Sequence, residues 1–277
     1  MDAKETLHKQ IKDAGLVHLA QPIMALAKPA LKLKTARVND EDDLPPGISK
    51  FGGQPDLPPD YTWATARGES LAFVGQINLA DCAPFEVQPA LPNTGILYFF
   101  NNYWGSDVFG STETMGKVLY FSGDMNLLKR RSPPDDLPAF AKLFSPCALN
   151  FSMCYTVPPY ESRYIVPNSP IVKSTASVDN ALTLSSEEDQ KNYWKLGGMV
   201  FSGQGDHQMF GYPNQLQYDL EVNFAPADPW QLLLQVDTDE NPNMMWGGDS
   251  GLCYYWIREH DLVARNFDHI VWDEQGY

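Results

Sequence analysis

The spacing of apolar and polar residues predicts two short helices at the start of the chain. Residues 4–13 place Leu7 and Ile11 four positions apart, which is the spacing of a one-sided helix. A second helix is predicted over residues 19–31, with Pro22 tolerated in its first turn. Both helices expose cationic faces. We therefore expect the pair to pack on a body of opposite charge.

After these helices the pattern changes to apolar strands separated by turns. Continuous apolar and aromatic runs predict strands over residues 71–80 and 95–104, and a third over 117–122. A short helix or turn is predicted near 138–144, and the proline-rich stretch 147–175 is predicted to be irregular. With 20 glycines and 22 prolines, the chain favours many turns over a helical bundle.

One further helix is predicted in the second half of the chain. Ser185 followed by Glu188 has the spacing of a capping box, and the helix is expected to cover residues 185–196. Gly197 and Gly198 are predicted to end it. After this helix, the strand and turn pattern of the first half returns.

Three segments of the first half recur in the second half in the same order. FGGQP matches FGYPN, LAFVGQINLAD matches WQLLLQVDTDE, and TGILYFFNN matches SGLCYYWIR. Gly53 precedes Gln76 by 23 residues, and Gly211 precedes Gln235 by 24. Matched order and spacing predict an internal duplication. Two copies are too few for a solenoid, so a pseudo-twofold domain is expected.

These patterns predict an α+β fold. It is predominantly antiparallel β, with an internal pseudo-twofold duplication and short peripheral helices that include the N-terminal helical pair. Residues 1–45 are predicted to form a helical arm packed on the body. Residues 46–277 are predicted to form a single duplicated domain, with halves of about 46–145 and 195–277.

The repeated motifs resemble the YwqG-like family of uncharacterised proteins, also called the DUF1963 family. The resemblance is carried by FGGQPDLPPDYTW, FVGQINLA, HQMFGYPNQLQYD, LLLQVDTD and MWGGDSGLCYYWI, and by a terminal DL…F…V pattern. It extends from about Lys50 to Trp272. It implies a compact domain dominated by antiparallel strands. It implies no activity, cofactor or catalytic residue.

The charge of the chain is unevenly distributed. Residues 1–40 hold seven Lys and Arg against four Asp and Glu, whereas the remainder holds 13 against 31, a balance of −18. An acidic body repels phosphate backbones, which disfavours nucleic-acid binding. The sign suits either a basic protein partner or simple solubility.

The cysteines and the apolar segments indicate a cytoplasmic protein that does not bind membranes. No two of the four cysteines form a C-x-x-C pair, so reduced thiols in the core are expected. The N-terminus lacks the apolar region of a signal peptide. No stretch approaches the eighteen apolar residues of a membrane helix.

Two segments of the sequence match the residues of known functional motifs. Gly-Asp-Ser-Gly at 248–251 has the letters found around a serine protease nucleophile, but no histidine has a protease context and the repeat aligns Ser250 with the turn residue Thr94. A tight turn is the better interpretation. An EF-hand is excluded because Pro242 stands where the loop needs glycine. Two interpretations of this segment remain. Asp237, Asp239 and Asp249 either bind calcium in an irregular site or belong to an acidic turn exposed to solvent. No other cofactor is predicted.

Polar residues within and beside the matched strands are the candidate ligand or partner site. Gln76 and Gln235 interrupt apolar strands in both copies, and a buried amide costs about 1–3 kcal/mol for each unmet polar group. Each glutamine either anchors a neighbouring loop or faces a ligand near the pseudo-twofold axis. The candidate site comprises Gln76, Asn78, Trp104, His207, Gln217, Gln235, Asp237, Trp246 and Asp249.

The copies differ most in the second half. His207, the acidic turn at 237–241 and the segment 246–249 occur only there, so any site is expected there. Two functions are considered. The first is a protein-binding module, including an immunity-type protein that neutralises a basic toxin. The alternative is a small-molecule binder or enzyme with a polar cleft near the second repeat, in which Asp237, Asp249 and His207 act as acids or bases.

Overall fold

The fold is known from a computed structural model. It describes residues 2–102, 115–137, 144–167, 181–201, 205–223, 229–246, 248 and 250–277. The α-helices in this part of the chain are α1 (Ala3–Asp13), α2 (Ala20–Leu26), α3 (Leu79–Cys82), α4 (Glu187–Val200) and α5 (Glu259–Val263). The predicted structure near 138–144 and the end of the predicted strand 95–104 lie outside the described residues.

The strands are short and numerous. In chain order they are β1 (Lys28–Arg37), β2 (Lys50–Phe51), β3 (Asp56–Leu57), β4 (Thr65–Ala66), β5 (Glu69–Ser70), β6 (Ala72–Asn78), β7 (Ile96–Asn101), β8 (Gly116–Phe121), β9 (Lys129–Arg130), β10 (Cys147–Thr156), β11 (Ile165–Pro167), β12 (Leu182–Leu184), β13 (His207–Met209), β14 (Trp230–Asp237), β15 (Gly251–Arg258) and β16 (Ile270–Gly276). The three predicted strands of the first half correspond to β6, β7 and β8.

Ten strands form one sheet in the order β16-β15-β14-β13-β1-β10-β2-β6-β7-β8. Every neighbouring pair in this sheet is antiparallel. β3 with β9 and β4 with β5 add two small antiparallel pairs, while β11 and β12 are parallel. The α+β class and the dominance of antiparallel strands are confirmed.

The strand order is symmetric about its centre. β1 and β10 are the middle pair, and outward from them β13 corresponds to β2, β14 to β6, β15 to β7 and β16 to β8. The matched sequence segments therefore lie at equal distances from the middle of the sheet. This is the arrangement that a duplication would produce, although the duplication itself stays a prediction.

The middle pair was not predicted from the sequence. The predicted second helix, 19–31, is shorter in the structure, because α2 ends at Leu26 and Lys28 begins β1. Alternation of buried and exposed residues along β1 suits a strand with one covered face. The predicted helical arm 1–45 thus contributes a central strand of the sheet, and its α-helices end at Leu26.

Two other segments differ from the prediction. The stretch 147–175 is not irregular throughout, because β10 pairs with β1 along its whole length. The prolines that suggested irregularity follow this strand. α4 begins after Ser186, whose hydroxyl accepts the N–H of Asp189, and continues through Gly197 and Gly198 to Val200. Packing on α1 overrides the weak helix propensity of glycine in this last turn.

The sheet curls so that its two halves share one core. The ring of Phe99 in β7 lies 5.1 Å from that of Tyr255 in β15, edge to face. At the sheet edges, a side chain in place of Gly116 of β8 would overlap Trp272 of β16. Separate apolar clusters cover the outer side of each half and the junction of α1, α2 and α4. The outer clusters and the shared core enclose the candidate site residues on β6 and β14.

Candidate functional site

Gln76 lies in β6 and fixes the loop that follows β2. Its side-chain oxygen accepts the N–H of Asp56 at 2.8 Å, and its amide nitrogen donates to Ile48 O at 2.9 Å and to Asp56 Oδ2 at 2.8 Å. The Tyr98 hydroxyl donates to Asp56 O at 2.6 Å. Lys50 closes the turn by donating to Gln54 O at 2.6 Å. We call these contacts the first frame.

Gln235 in β14 makes the same kind of contacts in the other half. Its side-chain oxygen accepts the N–H of Asn214 at 2.8 Å, and its nitrogen donates to Asp206 O at 2.8 Å. The Tyr254 hydroxyl donates to Asn214 O at 2.7 Å. Gln208 closes the turn by donating to Tyr212 O at 2.7 Å. We call these contacts the second frame.

Four hydrogen bonds of the first frame have a counterpart in the second, and the bond from Gln76 to Asp56 Oδ2 has none. The glutamine oxygen accepts the N–H of residue 56 or 214, and a tyrosine of the next strand donates to the carbonyl of that same residue. Gly53 and Gly211 occupy the same place in the turn, with φ of +66° and +70°. Both glutamines are fully buried and hydrogen-bonded to loops. Their geometry favours the loop-anchoring interpretation.

The structure does not bring the two glutamines together. Four strands of the sheet lie between β6 and β14. Tyr98, the tyrosine of the first frame, belongs to the apolar cluster on the outer side of the first half, while Tyr254 belongs to that of the second half. The expected pair of glutamines facing one ligand at the pseudo-twofold axis is therefore not formed. Asn78, two residues after Gln76, donates to Gly47 O at 3.0 Å and lies with the first frame.

His207 is at the start of β13 and is fully buried. Its Nδ1 accepts the backbone N–H of Asp237 at 3.0 Å, so Nε2 carries the ring proton and donates to Asp239 Oδ2 at 3.1 Å. The edge of the Phe51 ring packs on the imidazole, with centroids 4.9 Å apart. Both ring nitrogens are thus occupied by the fold. Proton transfer to a substrate would require His207 to give up one of these bonds.

The first half places a serine where the second half has His207. Ser49 Oγ accepts the N–H of Asn78 at 2.8 Å and donates to Asp81 Oδ2 at 2.6 Å. These are the same two roles, acceptance of a strand N–H and donation to a carboxylate, that the imidazole fills. The correspondence supports a positioning role for His207 in the loop before β13.

Asp237 and Asp206 form a buried carboxylate pair beside this histidine. Asp237 Oδ2 accepts the N–H of Asp206 at 3.0 Å, and Asp206 Oδ1 pairs with Lys32 Nζ at 2.7 Å. Asp237 Oδ1 and Asp206 Oδ2 have no hydrogen-bond partner among the described residues. Burial raises the pKa of both carboxyls, against the opposing effects of the Asp206 N–H on Asp237 and of Lys32 on Asp206. Both carboxyls are therefore buried with one oxygen each that lacks a hydrogen-bond partner among the described residues.

Both carboxylate oxygens of Asp239, a calcium candidate, accept hydrogen bonds from other residues of the protein. Burial alone would raise its pKa, but hydrogen bonds from His207 and Thr35 outweigh burial and hold the pKa at about 2. Its Oδ1 accepts the N–H of Asn241 at 2.8 Å. Among the described residues, no three His, Cys, Asp or Glu side chains are grouped so as to hold a metal ion. The third calcium candidate, Asp249, lies outside those residues.

Trp246 and Gln217 have structural contacts, and Trp104 lies outside the described residues. Trp246 is buried, and its ring N–H donates to Asp237 O at 3.1 Å, so it joins the cluster of His207 and Asp237. Gln217 is exposed and donates to Gly276 O at 2.9 Å, away from that cluster. The structure thus brings together His207, Gln235, Asp237 and Trp246, and separates them from Gln76, Asn78 and Gln217.

Three residues of the Gly-Asp-Ser-Gly segment are described, namely Gly248, Ser250 and Gly251, whereas Asp249 is not. Gly248 has φ of +95°, and the carbonyl of Gly251 accepts the N–H of Thr238 at 2.9 Å. In the first half, the carbonyl of Gly95 accepts the N–H of Leu79 at the same distance, 2.9 Å. The contact at Gly251 thus has the same form as the contact at Gly95, and the tight turn over 248–251 stays a prediction.

A family model for a domain of unknown function, DUF1963, matches residues 49–275. The chain belongs to the DUF1963 family. No curated protein matches it. The match begins one residue before β2 and ends within β16, so it contains the second frame and all of the first frame except Ile48. β1, which lies between β10 and β13 in the sheet, lies before it.

Other features limit the chemistry of this DUF1963 chain. Its four cysteines are free, and burial raises the pKa of Cys82 to about 12 and of Cys147 to about 11. Within the described ranges, no helix is long and apolar enough to cross a membrane. The Asp206–Lys32 ion pair was not predicted from the sequence. The signal available was a charged residue directly before the strand that carries His207.

Proposed function

We propose that the protein is a protein-binding module whose acidic body binds a basic protein partner. The observation that carries the proposal is the charge of the chain after residue 40, where 31 Asp and Glu stand against 13 Lys and Arg. Such a charge speeds association with a cationic partner and makes it sensitive to salt. It also opposes binding to nucleic acid.

Part of this charge is carried by exposed carboxylates of the first half. They are Asp42, Asp43, Asp60, Glu69, Asp135 and Asp136, and we call this set the acidic face. Ser70 donates to Asp136 Oδ1 at 3.0 Å, which joins the segment of Glu69 to that of Asp135 and Asp136. Arg130 of β9 contacts Asp42 Oδ1 at 3.3 Å and Oδ1 of the buried Asp56 at 3.2 Å.

The state of the candidate acid and base groups also favours binding over catalysis. Both nitrogens of His207 and both oxygens of Asp239 are committed to hydrogen bonds inside the protein. An immunity-type role, in which the partner is a basic toxin, is the more specific form of the proposal. It predicts that the partner is toxic when produced alone and harmless when the two proteins are produced together.

The test is capture of a partner by the full chain, followed by elution with rising salt. A fourfold variant, D42N/D43N/D135N/D136N, removes charge from the acidic face. The matched control, E187Q/E188Q/E259Q/D268N, removes the same charge elsewhere. Binding should weaken at least about tenfold in the first variant and little in the control. Equal loss in both, or retention that ignores salt, would count against the acidic face.

One observation favours small-molecule binding as a second candidate function. Asp206 and Asp237 keep one unpartnered oxygen each among the described residues, both deeply buried. A cationic ligand that reached them would relieve that cost. A thermal-shift screen of small amines against wild type and Asp237→Asn tests this. Stabilisation that disappears in the variant supports it, and equal shifts in both proteins contradict it.

A further inference from the structure

Next to the second frame, two tyrosine rings flank the ammonium group of Lys28, the first residue of β1. The Lys28 Nζ lies 4.3 Å from the ring centroid of Tyr212 and 5.6 Å from that of Tyr164. The two rings meet edge to face, with centroids 5.3 Å apart and planes at 69°. They form two walls of a corner. A cation in this corner is attracted by the electron-rich faces of both rings.

Glu221 supplies an acidic wall next to the rings. The Tyr164 hydroxyl hydrogen-bonds to its carboxylate, and the Glu221 charge acts favourably on Lys28. Arg163 holds the carboxylate from another direction, with its Nε 3.8 Å from Oε2. Burial raises the pKa of Glu221 and lowers that of Lys28, so the corner is partly shielded from water. We call Tyr164, Tyr212 and Glu221 the lysine cage.

Tyr212, one wall of the cage, is held by the fold. It is only 2% exposed, its N–H donates to Thr156 Oγ1 at 2.7 Å, and its carbonyl accepts from Gln208, so this wall is part of the second frame. Lys28 lies at the end of β1, where the residue as a whole is exposed although its ammonium is shielded within the cage. A lysine side chain has a flexible four-carbon stem, and rotation about it would carry the ammonium out of the cage.

We propose that the lysine cage is a binding site for an alkylammonium group, and that Lys28 occupies it in the free protein. Two aromatic faces and a carboxylate are the chemistry by which proteins recognise lysine side chains and quaternary amines. The external cation would be the side chain of a lysine in a protein or the headgroup of a small quaternary amine. Because Lys28 must leave first, it lowers the apparent affinity of the cage. The site is independent of the acidic face.

The experiment empties the cage in the full chain with Lys28→Ala and uses choline as the probe. Ligand-observed NMR follows the N-methyl resonance, which ring currents shift upfield in the cage. Choline should bind Lys28→Ala at least about tenfold more tightly than wild type, the gain expected when a competing internal cation is removed. Lys34→Ala, which removes an exposed lysine of the same strand, should behave as wild type.

Further measurements test the residues that form the cage and the kind of molecule that supplies the cation. In the Lys28→Ala background, Glu221→Gln and Tyr164→Leu should each abolish the gain, provided that thermal melting shows both proteins folded. The carbon analogue of choline, which has the same shape and no charge, should not bind. A capped lysine amide in place of choline distinguishes a protein side chain from a free quaternary amine as the preferred occupant.

Three results would overturn the proposal, two of them from the Lys28→Ala protein. One is equal choline affinity in wild type and Lys28→Ala, which would mean that Lys28 does not hold the site. The other is a folded Lys28→Ala protein that gives no N-methyl shift at any choline concentration. The contact would then be an internal cation–π pair that serves stability only. Binding by the carbon analogue would equally contradict recognition of charge.

Discussion

The two frames hold corresponding loops with side chains of different charge. In the first frame the closing residue is Lys50, whose ammonium is fully buried and lies 2.8 Å from Glu41 Oε1 and 3.5 Å from Asp56 Oδ2. In the second frame the closing residue is the neutral amide of Gln208. The residue at the far end of the loop is also charged in the first frame and neutral in the second, since Asp56 corresponds to Asn214.

This difference shows that the backbone geometry of the loop determines which positions must donate or accept a hydrogen bond. It constrains the charge of the side chains at those positions less. A donor is required beneath the turn and an acceptor at the strand, and either an ammonium or an amide serves as the donor. The ionic solution carries a larger penalty if one partner is lost, because the remaining charges stay buried. Comparing matched substitutions in the two frames therefore separates the effect of geometry from that of charge.

The largest expected difference follows removal of the closing residue. Lys50→Met should lower the free energy of unfolding by about 3–5 kcal/mol, because it removes a buried ammonium from the fully buried Asp56 and the partly buried Glu41 and leaves Arg130 as their remaining cation. Gln208→Met should cost about 1–3 kcal/mol, because it leaves only neutral carbonyls unmet. Urea unfolding of both variants measures the difference. Equal losses would mean that Arg130, which also contacts Asp56, neutralises the first frame unaided.

Removal of the central glutamines should give a smaller difference. Gln76 makes three hydrogen bonds and Gln235 two. At about 1 kcal/mol for each lost bond, Gln76→Leu should cost about 3 kcal/mol and Gln235→Leu about 2. The measurement is again the midpoint of urea unfolding at constant slope. A larger loss for Gln235→Leu would show that the frames do not contribute to stability in proportion to their bonds.

The carboxylates that follow the strands should differ in their contribution to stability. The pKa of Asp239 is about 2 in the folded protein against an ordinary 3.8, so its stabilisation is complete above pH 3.8 and is lost as the pH falls through 2. Asp239→Asn should therefore cost roughly 2 kcal/mol at neutral pH and little near pH 2. Asp81, which accepts a hydrogen bond from Ser49, is exposed, and Asp81→Asn should cost less at neutral pH. A pH-independent loss in Asp239→Asn would contradict the electrostatic origin.

The smallest expected effect has the opposite sign. Asp237 corresponds to Asn78 of the first half, and its burial raises its pKa, so ionisation at neutral pH costs stability. Asp237→Asn should raise the free energy of unfolding by about 1 kcal/mol at pH 7. Because a raised pKa contributes stability at low pH that is lost as the pH rises, the advantage of the variant should vanish below pH 3.8. Chemical unfolding at both pH values tests this, and a destabilised variant at neutral pH would refute it.

Local pattern was sufficient for many elements. Apolar runs with aromatic and β-branched residues predicted β6, β7 and β8, and the matched motifs pointed to equivalent places in the sheet. The expected cost of an unmet amide indicated that Gln76 and Gln235 need fixed partners. The glycines at 53 and 211 stand where both turns need a positive φ. Each of these conclusions depends only on neighbouring residues.

Long-range pairing was not readable from the sequence. β1 and β10 lie more than a hundred residues apart, and their alternating patterns were too weak to outweigh the helix before one and the prolines after the other. Only their pairing with each other shows that both are central strands. The same applies to the separation of the glutamines, because the number of strands between β6 and β14 depends on β1 and β10.

The sequence by itself determined the strand-rich class, the two glutamine-centred motifs and the acidic charge of the body, because these follow from residue type and local spacing. The tertiary structure decided which polar groups have hydrogen-bond partners within the protein. It occupied both nitrogens of His207, left single oxygens of Asp206 and Asp237 without a described partner, and placed Lys28 between two tyrosines. Such outcomes depend on contacts between distant segments, and hydrogen-bond satisfaction is a property of those contacts.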